Sequence, residues 1–136
     1  MGDPATTYSK PEAIANGLQD KQPGGKGTFR MDFDELRKAN EQRHTEWANG
    51  ESLPLSFRGV ELAGEVGEAC NEIKKLARKD LGLRGSKDDL SGLCEELADV
   101  LICVDLIAMD LGIDLGEIVR AKFNATSEKY GLETRL

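Results

Sequence analysis

The chain is poor in histidine, in aromatic residues and in basic side chains. A single histidine, His44, stands in 136 residues. A zinc hydrolase draws on several His or Cys ligands, and a di-iron carboxylate bundle needs an E-x-x-H pair on each of two helices. One histidine excludes both, and it argues against a serine or cysteine nucleophile, because His44 would have to serve alone as base. The three cysteines, Cys70, Cys94 and Cys103, are odd in number and form no C-x-x-C pair. That argues against a disulfide framework and for small buried thiols in a reducing cytoplasm. Lysine and arginine number 18 against 25 acids, a net charge of −7. A nucleic-acid polymer is therefore not an expected partner, since its binding wants a basic surface. The most apolar stretch, Leu97 to Met109, is broken by Asp99 and Asp105 and is too short to span a bilayer, so no membrane partner is expected. The N-terminus lacks the apolar core of a signal peptide. No D-x-[DN]-x-[DN]-G loop is present, which excludes an EF-hand. No segment alternates with period two, so no sheet is expected.

What is present reads as one helical domain behind an extension. Residues 1–31 hold Pro4, Pro11, Pro23 and the breaker Pro23-Gly24-Gly25-Lys26-Gly27. They are expected to form a flexible or partner-contacting arm, with one or two helical turns over Ala13 to Gln19. The glycines lack the spacing of a phosphate-binding G-x-x-x-x-G-K-[ST] loop. Residues 32–136 carry the helical pattern. Asp32 with Glu35 three residues on is a capping box for a first helix to about Trp47, ended by Asn49-Gly50. A second helix is expected over about 54–79, with an apolar seam of Leu62, Val66, Ala69, Ile73 and Leu76. Gly82 and Gly85 break it, and Ser86 with Asp89 is expected to cap a third helix over Lys87 to Leu111. That helix repeats Leu90, Leu93, Leu97, Val100, Val104, Ile107 and Leu111, and is apolar on other faces too, as suits the centre of a bundle or an oligomer. Asp114 caps a fourth helix whose Ile118, Phe123 and Tyr130 are expected to face inward.

The acids sit where a solvated surface would not put them. Glu61, Glu65, Glu68 and Glu72 form one stripe at i, i+4, i+7, i+11, beside the seam of the second helix. Glu96 and Asp99 each precede a seam residue of the third helix, about 100° round from it. Like charges stacked on one face repel, and the repulsion grows when they are partly desolvated. The basic residues Lys74, Lys75, Arg78 and Lys79 cluster at the far end of the second helix. At about 1.5 Å per residue the pairs Glu65–Glu68 and Glu96–Asp99 differ in height by only about 5 Å in an antiparallel hairpin. Two facing E-x-x-[ED] pairs make an all-oxygen site suited to Mg²⁺ or Mn²⁺. The competing reading is a charged face on a non-catalytic acidic helical-bundle interaction protein.

Two stretches, Glu61-Leu-Ala-Gly-Glu65-Val-Gly-Glu68-Ala and Glu95-Glu96-Leu-Ala-Asp99-Val-Leu-Ile, resemble the MazG-like all-α nucleoside triphosphate pyrophosphohydrolases. The segment Lys122-Phe-Asn124-Ala-Thr-Ser-Glu-Lys129-Tyr130-Gly is similar to that family's terminal substrate-binding segment. The resemblance covers about residues 33–132 and includes the dCTP pyrophosphatase and dimeric dUTPase branches. It implies a four-helix bundle assembling as a dimer or dimer of dimers, and hydrolysis of a (d)NTP to the monophosphate and pyrophosphate. By carry-over Glu65, Glu68, Glu96 and Asp99 hold Mg²⁺. Lys122, Asn124, Lys129 and Tyr130 lie near phosphate or sugar, and Trp47 near the base. Many members carry an extra acid where Gly64 stands here; Glu61, one turn earlier, is the acid to substitute for it beside Glu65 in catalysis. The Gly-Glu variant is similar to the dCTP-directed branch, which implies a pyrimidine deoxynucleotide. Read from the residues alone, Trp47 also fits packing at a helix end, and Lys122 and Lys129 fit charges favoured by a helix C-terminus. Gly64 and Gly67 suit close helix approach or room for substrate, and His44 an exposed helix position.

Overall fold

The structure, a computed structural model, describes residues 31–136. The arm expected over residues 1–31, with its helical turns and glycine cluster, lies outside the described residues except for Met31. Four helices follow: α1 (Phe33–Ala48), α2 (Leu55–Asp80), α3 (Ser91–Asp110) and α4 (Leu115–Lys129). No β-strand occurs among the described residues, as the missing period-two alternation predicts. No described helix is long and apolar enough to cross a membrane.

The local signals hold at most ends. The Asp32 side chain accepts from the Glu35 backbone N–H at 2.9 Å, and the Glu35 side chain accepts from the Asp32 N–H at 3.1 Å, a complete capping box. Asn49 closes α1 in the left-handed conformation, φ 51°. Asp114 accepts from the Glu117 N–H at 2.9 Å at the start of α4. The exception is α3, which begins at Ser91 instead of Lys87. The Lys87 N–H donates to the Lys75 carbonyl of α2 at 3.1 Å, so this stretch is docked as extended chain where a helical turn was expected. Asp89 then accepts from the Ser91 N–H at 3.1 Å and from its hydroxyl.

The chain divides into two compact units, and α2 and α3 each contribute to both. The described part of the first is Glu61–Leu101. Its buried apolar residues are Ala69 and Leu76, with Leu62 half-buried; Val66 and Ile73, expected in the same seam, are exposed. The inward line of α2 runs instead through Leu62, Glu65, Ala69, Glu72 and Leu76, still at four- and three-residue steps. Each residue is about 100° from the next, so replacing Val66 by Glu65 and Ile73 by Glu72 turns the buried face toward the acids. On α3, Leu97 and, beyond the helix end, Leu111 are also exposed despite their seam positions.

The second unit joins Phe29–Val60, described from Met31, to Ile102–Leu136. Leu36, Ala108 and Leu115 are its buried apolar side chains, and its centre is polar. Asp105 is 0% exposed. One carboxylate oxygen accepts from Arg37 Nε at 3.0 Å and Nη2 at 2.8 Å, and the other from Asn40 Nδ2 at 2.9 Å. Arg37 also donates to the Ile113 carbonyl at 3.0 Å, and Arg43 to Asn40 Oδ1 at 3.0 Å. Arg58 is buried and donates to Asp110 at 2.9 Å and to His44 Nδ1 at 3.2 Å. The sequence placed His44 in solvent; it is half-buried, held by that guanidinium. Ile118, Phe123 and Tyr130, expected to face inward, are exposed, while Leu115 and Ser127 are the buried residues of α4. Cys70 is exposed and Cys94 and Cys103 are half-buried, so the expectation of buried cysteines is not met, least of all at Cys70.

Removing one partner of a buried ion pair strands the other, at a cost of about 3–5 kcal/mol. Asp105→Ala is expected to lower the unfolding free energy by about that much in urea titration. Arg37→Met combined with Asp105→Leu should recover most of it; a double variant as unstable as the single one would mean that the pair does not act as a unit.

Candidate metal centre

Three carboxylates meet inside the first unit. Glu65 and Glu68, one turn apart on α2, and Glu96 on α3 each offer an oxygen within 4.8 Å of the other two. Glu65 and Glu96 are half-buried and Glu68 is exposed. No described lysine, arginine or histidine forms an ion pair with any of the three, or with Asp99. The next acid of the stripe differs. Glu72 accepts from Lys75 through Oε1 and from Lys87 through Oε2, the latter at 2.9 Å. Hydrogen bonds from Lys75 first, then Lys87, hold its carboxyl below the ordinary glutamate range.

The uncompensated charge registers on Glu96. Desolvation first, then the charges of Glu68, Glu65, Asp99 and Glu72, push its carboxyl above the ordinary value. Asp99 is exposed and outside the three-residue cluster, but its charge falls on Glu96.

The donor set is three carboxylates with no nitrogen or sulfur, the chemistry of a hard cation such as Mg²⁺ or Mn²⁺. Neighbouring oxygens about 2.1 Å from one octahedral Mg²⁺ lie about 3.0 Å apart, so the three carboxylates, now within 4.8 Å of one another, must close by up to about 1.8 Å to share one ion. Side-chain rotation supplies that movement. The residues therefore fit a divalent ion.

The other expected site residues are placed as follows. Glu61 is half-buried at the start of the first unit's described segment. Trp47 is exposed near the end of α1. Lys122 is exposed on α4, and the Lys129 ammonium lies 5.3 Å from the centroid of the exposed Tyr130 ring. Asn124 uses both ends of its amide on Leu136: its Nδ2 donates to the carbonyl at 3.3 Å and its Oδ1 accepts from the N–H at 2.9 Å. Gly64 and Gly67 do not mediate close helix approach, because a Cβ at either would meet nothing within 4 Å. The glycine in a tight place is Gly92, where a Cβ would stand 2.8 Å from Glu72 Oε2. Sequence reading passed over Gly92 and the lysine clamp on Glu72; only the unbroken acidic stripe through Glu72 hinted at them.

Comparison with known proteins gives one positive finding. A family model described as the MazG nucleotide pyrophosphohydrolase domain matches residues 59–130, which is 72 of the 136 residues. The matched span holds both acidic pairs and the segment from Lys122 to Tyr130. No curated protein and no solved structure matches the chain.

A carboxyl whose value is raised by folding keeps its proton in the native state after the unfolded chain has lost it. Stability then falls as pH rises from the ordinary glutamate value to the raised one, and stays lower above it. Glu96→Gln is thus expected to raise the melting temperature of the metal-free protein at neutral pH, a gain that disappears in acid, where Glu96 is protonated. Mg²⁺ should raise the melting temperature of the native protein and leave the variant's nearly unchanged. A variant less stable than the native protein without metal would contradict like-charge strain at this cluster.

Proposed function

The chain belongs to the MazG nucleotide pyrophosphohydrolase family, and on that premise we propose that it cleaves a nucleoside triphosphate to the monophosphate and pyrophosphate. One observation supports this reading above the others: three carboxylates from two helices converge with no cationic side chain among the described residues paired to them. Glu65, Glu68 and Glu96, with Asp99 from the neighbouring turn, would hold Mg²⁺ or Mn²⁺. A bound divalent ion supplies Lewis acidity there, screening phosphate charge and making water a better nucleophile.

The chain's own residues do the rest. Glu65, with Glu61 one turn before it in place of the acid absent at Gly64, accepts the proton of the attacking water. Lys122 and Lys129 neutralise charge that develops on the leaving pyrophosphate. Tyr130 and Trp47 supply flat surfaces for sugar and base. Asn124 reaches a nucleotide only by exchanging the Leu136 backbone for it. The open space beside Gly64 and Gly67 leaves room for substrate. A pyrimidine deoxynucleotide is the substrate class favoured by the Gly64-Glu65 variant of the motif. Residues 32–136 form the catalytic domain and 1–31 an added arm, in a protein of the reducing cytoplasm. Self-association as a homodimer or dimer of dimers is supported by the apolar side chains left in water, among them Val66, Ile73, Leu97, Leu101, Ile118 and Phe123. Burying such surface yields about 25 cal/mol per Å².

Purified protein with Mg²⁺ is expected to release pyrophosphate, not orthophosphate, from at least one member of a panel of NTPs and dNTPs. Glu68→Gln should lower that rate by about 100-fold or more while helix content by circular dichroism is kept. No release across the panel would leave the reading of a non-catalytic helical interaction protein in its place. Light scattering coupled to size exclusion should give a mass of two or four chains; a monomer at micromolar concentration would refute the assembly.

A further inference from the structure

Glu72 lies in the acidic stripe but is built unlike its neighbours. It is 8% exposed, and each of its oxygens accepts from a different lysine. Lys87 is tied twice to the same stretch of α2, by its ammonium to Glu72 and by its backbone N–H to the Lys75 carbonyl at 3.1 Å. The carboxylate fills the space that a side chain at position 92 would need. A Cβ there would stand 2.8 Å from Glu72 Oε2, 3.0 Å from its carboxyl carbon and 3.3 Å from Lys87 Nζ. Glu72 is four residues after Glu68 on α2, and Gly92 four residues before Glu96 on α3, about one turn in each case.

We propose that Glu72, held by Lys75 and Lys87 against the side-chain-free backbone of Gly92, sets the spacing of α2 and α3 and so positions Glu68 and Glu96 for the metal. This rests on the metal-centre reading. Glu72 is a positioning residue and not a ligand, because its charge is already matched by two ammonium groups. An alanine at 92 would have to displace a carboxylate fixed by both lysines. The displacement would pass to the next turn, where the spacing of α2 and α3 decides how far the three carboxylates must move to close on one ion. Loss of the Lys87 ammonium frees one oxygen of that carboxylate to move, while the Lys87 backbone N–H keeps its bond to the Lys75 carbonyl and Lys75 keeps the other oxygen.

The test is Mn²⁺ binding by the full chain, read by electron paramagnetic resonance of the free ion, with circular dichroism as the check on folding. Gly92→Ala and Lys87→Met are each expected to weaken Mn²⁺ binding about tenfold, the lower end for partners that orient metal ligands. Lys87→Met separates positioning from simple charge, because deleting a cation near an acidic cluster should by itself tighten Mn²⁺ binding. If Gly92→Ala fails to fold, Lys87→Met alone decides. Native affinity, or tighter binding, in the folded Lys87→Met variant overturns the proposal and leaves the metal centre standing. Absence of Mn²⁺ binding by the unaltered chain overturns both.

Discussion

Like-charge repulsion between Glu65, Glu68 and Glu96 is the constraint around which the first unit is arranged. Three carboxylate oxygens lie within 4.8 Å of one another with no basic partner among the described residues, two of them on half-buried side chains. The rotation of α2 that puts Glu65 and Glu72 on its inward line, in place of Val66 and Ile73, is the means. At one end of the stripe Glu72 is matched by lysines from α2 and the following loop, whereas Glu65 and Glu68 form no ion pair among the described residues. A purely structural helix pair has no reason to treat adjacent turns so differently. On the proposed reading the binding energy of a divalent ion would offset the repulsion among these carboxylates.

Much of this could be read from the chain. The Asp32–Glu35 capping box, the glycine stops and the helix periods are local signals; α1 and α2 lie within a residue or so of where those signals put them, and α4 starts after the expected cap, Asp114. The acidic stripe was legible for the same reason, since i, i+4, i+7 spacing fixes a face without any tertiary knowledge. What could not be read depends on partners distant in sequence. Asp105 reads as an interruption of an apolar run until Arg37, 68 residues away, is seen to bind it. His44 reads as a surface residue until Arg58 is placed against it. Ser86 and Asp89 offer the cap for a helix starting at Lys87, yet the Lys87 N–H is taken by a carbonyl of α2 and the helix begins later. The seam assignments failed at Val66 and Ile73 because two faces of α2 have the same period, and only packing chooses between them.

The matched family span and the carboxylate cluster bear on phosphate chemistry, which is common to all nucleoside triphosphates. Selection among bases has to come from side chains that meet the base. On the proposed reading one of these is Trp47, which lies outside the matched residues 59–130. On that reading chemistry and selectivity would be carried by different parts of the chain, so that the first could be fixed while the second varies.

The lysine clamp and the Arg37–Asp105 pair also differ in what they ask of the disordered chain. The Lys87–Glu72 bond closes a loop of 15 residues, whereas Arg37–Asp105 closes 68. Loop-closure entropy grows as the logarithm of length, so the longer closure costs about 1.3 kcal/mol more. The hairpin bearing the acids is accordingly the cheaper of the two closures, so the acids can be brought together by contacts local in sequence, whereas the polar centre of the other unit depends on a distant one.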